Sequence, residues 1–339
     1  MDIEYNFPSA FDEHYGLLTR KLVRMLSEDS RISILELSRK FGVSRRTIRE
    51  RMQRMQKDIG YTIEFNEREI GLTSPHLITL KFKKKPDYEE ITRMLSESHI
   101  PQLAVTVKGR YDMLIYANAT TSDDYVHWDK SLQIKLSKYG LHWHSSDVAH
   151  KQLGYFPIRN ELIDQLDIEQ VHKDMLKHLN WNARTTFSEM SKKMNMHFNT
   201  VAYNFNKLLK KKYISRFTIS MARPPNLVLM SMFSKYVLEN GYEEDSARAR
   251  RAYMESGTEF PFLNRYQICA QLVGSYDFFS MGIFDDYDTA YLHQIRNTKE
   301  IFRKHNARLE YGTVEKVLLG RLPLRSVDAK KEYNVMKWT

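Results

Sequence analysis

Apolar residues near the N-terminal end of the chain recur with helical spacing, which divides this stretch into three short helices. The three predicted helices cover residues 14–29, 33–41 and 44–58. Gly42 separates the second helix from the third, and Ser33 and Ser44 are placed to cap the two N-termini. The apolar face of the third helix consists of Ile48, Met52 and Met55. This pattern predicts a helix-turn-helix.

The opposite face of the third helix is basic. The second helix of a DNA-binding helix-turn-helix enters the major groove, where arginine binds phosphate oxygens and guanine edges. We expect DNA contacts from Ser44, Arg45, Arg46, Thr47, Arg49, Gln53 and Arg54. The alternative interpretation is a solvated surface helix without a ligand.

Residues 61–71 follow Gly60 and surround a polar turn, which predicts two short strands. A hairpin at this place is the wing of a winged helix-turn-helix. Arg68 lies at its expected tip, so it is a further candidate for a phosphate contact.

From residue 75 onward the pattern changes to alternating strands and helices. The predicted segments are strand 76–82, helix 88–97, strands 103–107 and 111–116, helix 121–139 and strand 141–149. This order predicts a ferredoxin-like β-α-β-β-α-β domain, whose two helices cover one face of an antiparallel sheet. The other face needs a cover. We therefore expect Val105, Val107 and Ile115 to pack against a second sheet, near residues 271–273 and 278–280, or against a second chain.

The same plan returns in the second half of the chain. The capping pair Ser33 and Glu36 corresponds to Thr186 and Glu189, 153 positions further on. At the same offset, the apolar residues of the third helix correspond to Val201, Phe205 and Leu208. These matches predict an internal duplication.

Later turns match at a larger offset. The Gly-x-Tyr-Asp turn of residues 109–112 returns 165 positions later, at 274–277. The second copy therefore carries about 12 additional residues (165 − 153), which we place in or beside 242–255. The predicted fold class is α+β, with two copies of a winged helix-turn-helix followed by a ferredoxin-like domain. The predicted domains are a winged helix-turn-helix at 1–74, a ferredoxin-like domain at 75–158, a second helix-turn-helix at 159–222, a second ferredoxin-like domain at 223–325 and a tail at 326–339.

The second recognition helix differs from the first. In place of Arg45, Arg46, Arg49, Glu50 and Gln53 it carries Phe198, Asn199, Ala202, Tyr203 and Asn206. Asparagine can form two hydrogen bonds with adenine, so Asn199 is a candidate DNA contact, and Lys207 is another. The alternative is a surface that binds a protein partner, and the residues do not decide between the two.

The charge of the whole chain favours an acidic partner. Its 339 residues carry a formal net charge of +10, and nucleic acid is the commonest partner of such proteins. The single cysteine, Cys269, excludes an internal disulfide framework and suits a reducing compartment. The N-terminus lacks the features of a signal peptide, and the apolar run 227–233 is too short to span a bilayer. We expect a cytoplasmic, nucleoid-associated protein with no membrane partner.

No motif for catalysis or cofactor binding is present in the sequence. A Gly-rich phosphate loop, a Ser-His-Asp order and paired carboxylates are all missing. His142 and His144 share a strand face, but Arg308 and Glu310 stand at the matching positions of the second copy. We expect no catalytic residues, no cofactor and no metal site.

The winged helix-turn-helix, the ferredoxin-like domain and the Gly-x-Tyr-Asp turn together resemble the Lrp/AsnC family of feast/famine transcription regulators. The resemblance covers nearly the whole chain, but in tandem, whereas a usual member is a single copy that dimerises. It implies double-stranded DNA as a partner, bound through residues 44–57. It also implies ferredoxin-like sheets that pair face to face.

The family often binds an amino-acid effector between these domains. Carried over by motif, the effector-binding residues are Gly109, Tyr111, Asp112, Gly274, Tyr276 and Asp277. The alternative role of these residues is to close a hairpin with a tight turn, where glycine supplies the positive φ. Because the two recognition helices are unequal and palindromic operators mirror symmetric proteins, we also expect two chains to associate as a homodimer.

Two alternatives to a regulator remain open. Sirohaem decarboxylases, enzymes that act on a tetrapyrrole, share this two-domain plan as heterodimers, and a tandem chain would mimic their pairing. The aromatic-Asn-Leu segment of that family is not found in the comparable strand, residues 111–115. The other alternative is a scaffold whose second helix-turn-helix binds a protein.

Overall fold

The computed structural model of the protein describes residues 16–221, 227–236, 266–284, 286–297 and 307–324. The expectations for the insertion at 242–255 and for the tail at 326–339 lie outside the described residues.

The N-terminal part forms the predicted helix-turn-helix. Its helices are Leu17–Glu28 (α1), Ile34–Phe41 (α2) and Arg45–Met55 (α3). The Ser33 hydroxyl caps α2 by accepting the backbone N–H of Glu36, and Gly42 ends α2 in the left-handed conformation with φ 64°. The apolar face of α3 is buried, as the pattern predicts, because it packs into the core shared with α1.

One strand follows α3, so the expected two-stranded wing is wrong. Ile59–Phe65 (β1) ends in a turn over residues 67–71 and pairs antiparallel with Ile214–Met221 (β6). Leu322–Leu324 (β11) pairs with the other edge of β6, which completes a three-stranded sheet. The backbone N–H and C=O groups of β1 are thus hydrogen-bonded to β6, which is distant in sequence, and not to a neighbouring strand.

The remaining strands close into an eight-stranded barrel to which each half of the chain contributes four strands. The first half supplies His76–Phe82 (β2), Pro101–Gly109 (β3), Met113–Ala117 (β4) and Leu141–Leu153 (β5), with the helices Tyr88–Ser96 (α4) and Ser122–Leu136 (α5). The second half supplies Val228–Tyr236 (β7), Tyr266–Gly274 (β8), Phe278–Phe284 (β9) and Ala307–Leu319 (β10), with the helix Tyr287–Asn297 (α10). The strand order is β10-β3-β4-β2-β5-β8-β9-β7.

The barrel is thus two four-stranded sheets joined along both edges. Strand β3 pairs with β10 at one seam, and β5 pairs with β8 at the other. At each seam a glycine in the left-handed region, Gly154 or Gly320, lies so close to a carbonyl of the opposite sheet that a Cβ atom would overlap it. The carbonyls belong to Gln267 and Gln102, respectively.

Alternation along the strands decides which side chains enter the barrel. Val105 and Val107 lie in the interior core together with Leu272 and Phe279, in agreement with the expectation for a covered sheet face. The expectation that Ile115 shares this face is wrong. Ile115 packs on the outer face of the sheet, beneath α4 and α5, because the interior positions of β4 are those of Leu114 and Tyr116.

Between the two sheets, in sequence order, lies the second helix-turn-helix. Its helices are Asn160–Ile163 (α6), Gln170–Trp181 (α7), Phe187–Met194 (α8) and Phe198–Lys210 (α9), and β6 follows. Thr186 and Glu189 form a complete capping box at the start of α8.

The two helix-turn-helix units are related by a local two-fold axis. Thr62 of β1 lies opposite Thr218 of β6, and each hydroxyl donates to a backbone carbonyl of the other unit, that of Asn180 or Ser27. Each half runs through three helix-turn-helix helices, one strand and then four barrel strands, and the second half also has α6 and β11 among the described residues. The fold class, α+β with helix-turn-helix units and ferredoxin-like sheets, is therefore as predicted apart from the wing, while the domain boundaries and the duplication itself stay predictions.

Candidate nucleic-acid interface

Helix α3 presents a basic face whose N-terminus is tightly capped. The Ser44 hydroxyl accepts the backbone N–H of Thr47 at 3.0 Å and lies 2.9 Å from the Thr47 hydroxyl. These two side chains therefore fix the first turn of the helix, and Ser44 is exposed while Thr47 is half-buried. The exposed side chains beyond this cap include Arg45, Arg46, Arg49, Gln53 and Arg54, as expected from the sequence.

One arginine of this face is neutralised within the helix. The Arg46 guanidinium donates to the Glu50 carboxylate at 2.8 Å, which lowers the pKa of Glu50. Arg45, Arg49 and Gln53 form no hydrogen bond or ion pair with another described residue, so their donors remain available to a ligand. The unbalanced charge of α3 thus lies mainly on Arg45, Arg49 and Arg54.

Arg68 does not lie on a wing. It is exposed in the turn that follows β1, and the neighbouring Glu67 points into the end of the barrel. Arg68 therefore belongs to the connection between the helix-turn-helix and the barrel.

Glu67 is the centre of a polar cluster that sequence reasoning missed. Its carboxylate forms an ion pair with Lys151 and accepts hydrogen bonds from Tyr116 and Asn118 at 3.2 and 3.1 Å. At the position of Lys151 the second half carries Val317, by the offset of 166 that relates Gly154 to Gly320. The cluster anchors the first helix-turn-helix to the barrel. In the sequence Glu67 is one of several charged residues of a predicted polar turn, so nothing distinguishes it there.

Helix α9 occupies the place in the second unit that α3 occupies in the first. Its N-cap is His197, whose Nδ1 accepts the backbone N–H of Asn199 at 3.3 Å. Asn199, Tyr203 and Asn206 are exposed. Spacings of four and seven residues place these three side chains on one stripe of the helix.

Lys207, the other candidate on α9, already has a carboxylate partner. Its ammonium donates to Glu169 at 2.7 Å, and Lys211 donates to the same carboxylate at 3.2 Å. The two lysines lower the pKa of Glu169 to about 2. Lys207 is therefore a weaker source of phosphate attraction than its position on the helix indicates.

The first Gly-x-Tyr-Asp turn joins the two sheets. Tyr111 is buried and donates to the Ser231 hydroxyl of the other half at 2.7 Å. Asp112 accepts from Lys81 at 2.6 Å and from the backbone N–H of Phe82 at 2.8 Å. Gly109, with φ 156°, passes so close to the backbone of Tyr311 that a side chain would not fit.

The second turn repeats this arrangement with one difference. Tyr276 is buried and donates to the Glu310 carboxylate at 2.6 Å, while Asp277 lies 3.3 Å from the ammonium of Lys235. Gly274 has φ 131° and packs against the backbone of β5. The structure thus brings the two tyrosines together, because both contact Phe233. The ring centroid of Phe233 lies 5.5 Å from that of Tyr111 and 4.6 Å from that of Tyr276. All six residues have structural roles at the seams, and effector binding by them stays a prediction.

Within the described ranges no group of three or more histidine, cysteine, aspartate or glutamate side chains is arranged to bind a metal ion. His142 and His144 are exposed on β5. Of the helices in the part of the chain that the structure covers, none has the length and apolar character needed to cross a bilayer.

Comparison with known proteins identifies the class of the N-terminal unit. Residues 18–56, which include all of α2 and α3, match the AsnC-type helix-turn-helix domain. An HTH-type transcriptional regulator of Pyrococcus furiosus is 29% identical over 119 residues, which cover 34% of this chain and 79% of the relative. The regulatory protein AsnC of Haemophilus influenzae is 28% identical over 101 residues, 29% of this chain and 67% of the relative. Over residues 18–56 the chain therefore carries an AsnC-type helix-turn-helix domain, and relatives named as transcriptional regulators share sequence similarity with about a third of the chain.

A solved structure matches the architecture over almost the whole chain. The sirohaem decarboxylase NirDL superposes with a TM-score of 0.54, covering 95% of this chain and 100% of that chain at 11% sequence identity. A likeness at this identity concerns the fold alone. The overall arrangement of this chain therefore has a counterpart among solved structures.

Proposed function

We propose that the protein is a sequence-specific, double-stranded-DNA-binding transcription regulator that inserts α3 into the major groove. The observation that carries this proposal is the exposed arginine face of α3, built on a capped helix within a matched AsnC-type domain. Arg45 and Arg49 have the donor geometry to bind guanine edges or phosphates, and Gln53 can bind an adenine edge. Ser44 and Thr47 preserve the first turn, where the helix N-terminus itself attracts phosphate.

The other candidate contacts have unequal support. Arg54 and Arg68 are exposed and would bind phosphates beside the groove. Asn199 is exposed on α9, whereas Lys207 would first have to leave Glu169. Binding to chromosomal DNA implies association with the nucleoid, which we infer as the place of action.

The response to a small-molecule effector, such as an amino acid, is a further part of the proposal. The turns at 109–112 and 274–277 link the two sheets, so a ligand at either turn would act on the seams of the barrel. Association of two chains remains part of the proposal as well. One chain already contains two helix-turn-helix units, so self-association is a separate property, which light scattering measures.

The proposal is tested by measuring the binding of the full chain to genomic fragments, followed by footprinting of the bound site. We expect protected segments and an affinity that falls steeply with salt, since log K decreases by about 0.9 per phosphate contact for each unit of log salt. No protected segment, or an affinity that does not change with salt, would contradict DNA binding. The enzyme alternative makes a different prediction, because a tetrapyrrole-binding protein is coloured when purified and shows visible absorbance on addition of an iron porphyrin.

A further inference from the structure

The two recognition helices of one chain are held in equivalent positions but carry different chemistry. Ser30 of the first unit donates its backbone N–H to Phe217, and Ala183 of the second donates to Tyr61, each at the same place in its unit. With Thr62 opposite Thr218, these bonds define a two-fold relation between the units. Helix α9 is therefore presented to solvent as α3 is.

The surroundings of α9 remain basic although the helix itself carries no arginine. Lys192 and Lys193 are exposed at the end of α8, as Arg39 and Lys40 are at the end of α2. Lys210 is exposed at the C-terminal end of α9. Positive charge flanking an uncharged polar stripe favours a polyanion over an apolar protein partner, because the lysines beside the stripe attract phosphates.

The stripe itself has the groups that distinguish A·T pairs. The amides of Asn199 and Asn206 can each form two hydrogen bonds with the N6 and N7 atoms of adenine. Phe198 is 48% exposed beside them, although its ring edge packs on Phe187, and a phenylalanine contacts the thymine methyl group. Tyr203 is 67% exposed between the two asparagines.

We infer that a single chain recognises an asymmetric, two-part DNA site. Helix α3 binds the half that contains guanine, and α9 binds a half composed of A·T pairs, one helical turn or a multiple of it away. Asn199 and Asn206 determine the specificity of the second half. This inference rests on the proposed function and adds to it the composition and asymmetry of the site.

The test is selection of bound duplexes from a random library by the full chain and by three variants. The first variant combines Asn199→Ala with Asn206→Ala, and the second combines Arg45→Ala with Arg49→Ala. The matched control combines Gln165→Ala with Gln170→Ala, two exposed amides of the second unit that lie outside α9. Melting temperatures establish that every variant is folded.

We expect a two-part consensus from the wild-type chain and from the control. The Asn variant should lose the preference for A·T in one half, with at least about fivefold less discrimination per base pair, and keep the other half. The Arg variant should lose the guanine preference of the opposite half. Replacement of thymine by uracil in the A·T half should weaken wild-type binding about fourfold per contacted methyl group, the effect of one buried methyl-sized group.

Two outcomes overturn the inference and leave the proposed function intact. One is a consensus confined to a single half, unchanged in the Asn variant, which is the result expected if α9 binds a protein. The other is a palindrome whose halves both depend on the arginines. A failure of the wild-type chain to enrich any sequence would instead overturn the proposed function.

Discussion

Across the interface between the two helix-turn-helix units, Arg31 and Arg184 each donate hydrogen bonds to the backbone carbonyls on either side of the other arginine. The Arg31 guanidinium donates to the carbonyls of Ala183 and Thr185, at 2.7 and 3.3 Å, which flank Arg184 in the chain. Arg184 donates to the carbonyls of Ser30 and Ile32, which flank Arg31, at 2.5 and 3.0 Å. Burial and the charge of the other arginine lower the pKa of Arg31, and burial lowers the pKa of Arg184. Two like charges are thus held together by four carbonyl groups.

This relationship predicts that either arginine is needed for a stable pair of units. Arg31→Met or Arg184→Met should lower the free energy of unfolding by about 1.5–3 kcal/mol, the usual contribution of hydrogen bonds to a charged group. Arg39→Met, at an exposed position of α2, is the matched control and should have little effect. Thermal unfolding followed by circular dichroism measures the difference. Equal melting temperatures for all three variants would mean that the hydrogen bonds of Arg31 and Arg184 do not contribute to stability.

Closure of the barrel predicts that half of the chain does not behave as an isolated domain. A fragment of residues 1–158 would leave the outer edges of β3 and β5 unpaired, since their partners β10 and β8 come from the second half. It would also expose the interior face that carries Val105, Leu114 and Tyr116. We expect this fragment to dimerise or aggregate in size-exclusion chromatography with light scattering. A monomer that unfolds cooperatively would contradict the shared barrel.

His172 predicts a loss of stability in mild acid. Its ring is fully buried on α7, and neither nitrogen has a hydrogen-bond partner among the described residues, although the Glu169 carboxylate lies 3.9 Å from Nδ1. Burial lowers the pKa of His172; Glu169 opposes this shift, and Lys211 and Lys207 add to it. Below pH 6.5 the unfolded chain therefore binds a proton that the folded chain does not, so stability falls as the pH falls from 6.5.

Replacement of this histidine tests the assignment. His172→Leu should raise the free energy of unfolding at pH 7 by about 1 kcal/mol, because it removes an unpaired buried polar group. It should also flatten the dependence of stability on pH between 6.5 and 5. His142→Leu, on an exposed strand position, serves as the control. A pH dependence that is unchanged by His172→Leu would show that other groups are responsible for it.

Local structure was predictable from the sequence where apolar residues follow one clear spacing, either helical or alternating. Helices α2 and α3 and their counterparts α8 and α9 follow from caps and apolar spacing, and the strand at 76–82 was predicted at its observed bounds. Ile115 was misplaced because Leu114 and Ile115 are equally apolar and both faces of β4 are buried, so alternation gave no signal. The partner of β1 was missed because the strand β6 that pairs with it lies 156 positions away (218 − 62).

The candidate site was predictable only in part, for a similar reason. The exposed arginines of α3 follow from helical geometry alone. For Lys207 on α9, the carboxylate that offsets its charge is Glu169, which lies outside that helix. Such a partner has no signature in the sequence. The roles of Tyr111 and Tyr276 depend on seams between distant strands, which the turn motif does not reveal.

The central claim is that the arginines of α3 bind DNA, and the most direct test is a salt titration of binding to one footprinted site. The variant combines Arg45→Ala, Arg46→Ala and Arg49→Ala, and the control with the same loss of charge combines Lys83→Ala, Lys84→Ala and Lys85→Ala, exposed residues at one end of the barrel. We expect the arginine variant to bind DNA more weakly, by about 1–3 kcal/mol for each arginine that binds a base edge, and to have a flatter slope of log K against log salt. Affinity and slope equal to those of the lysine control would contradict the claim.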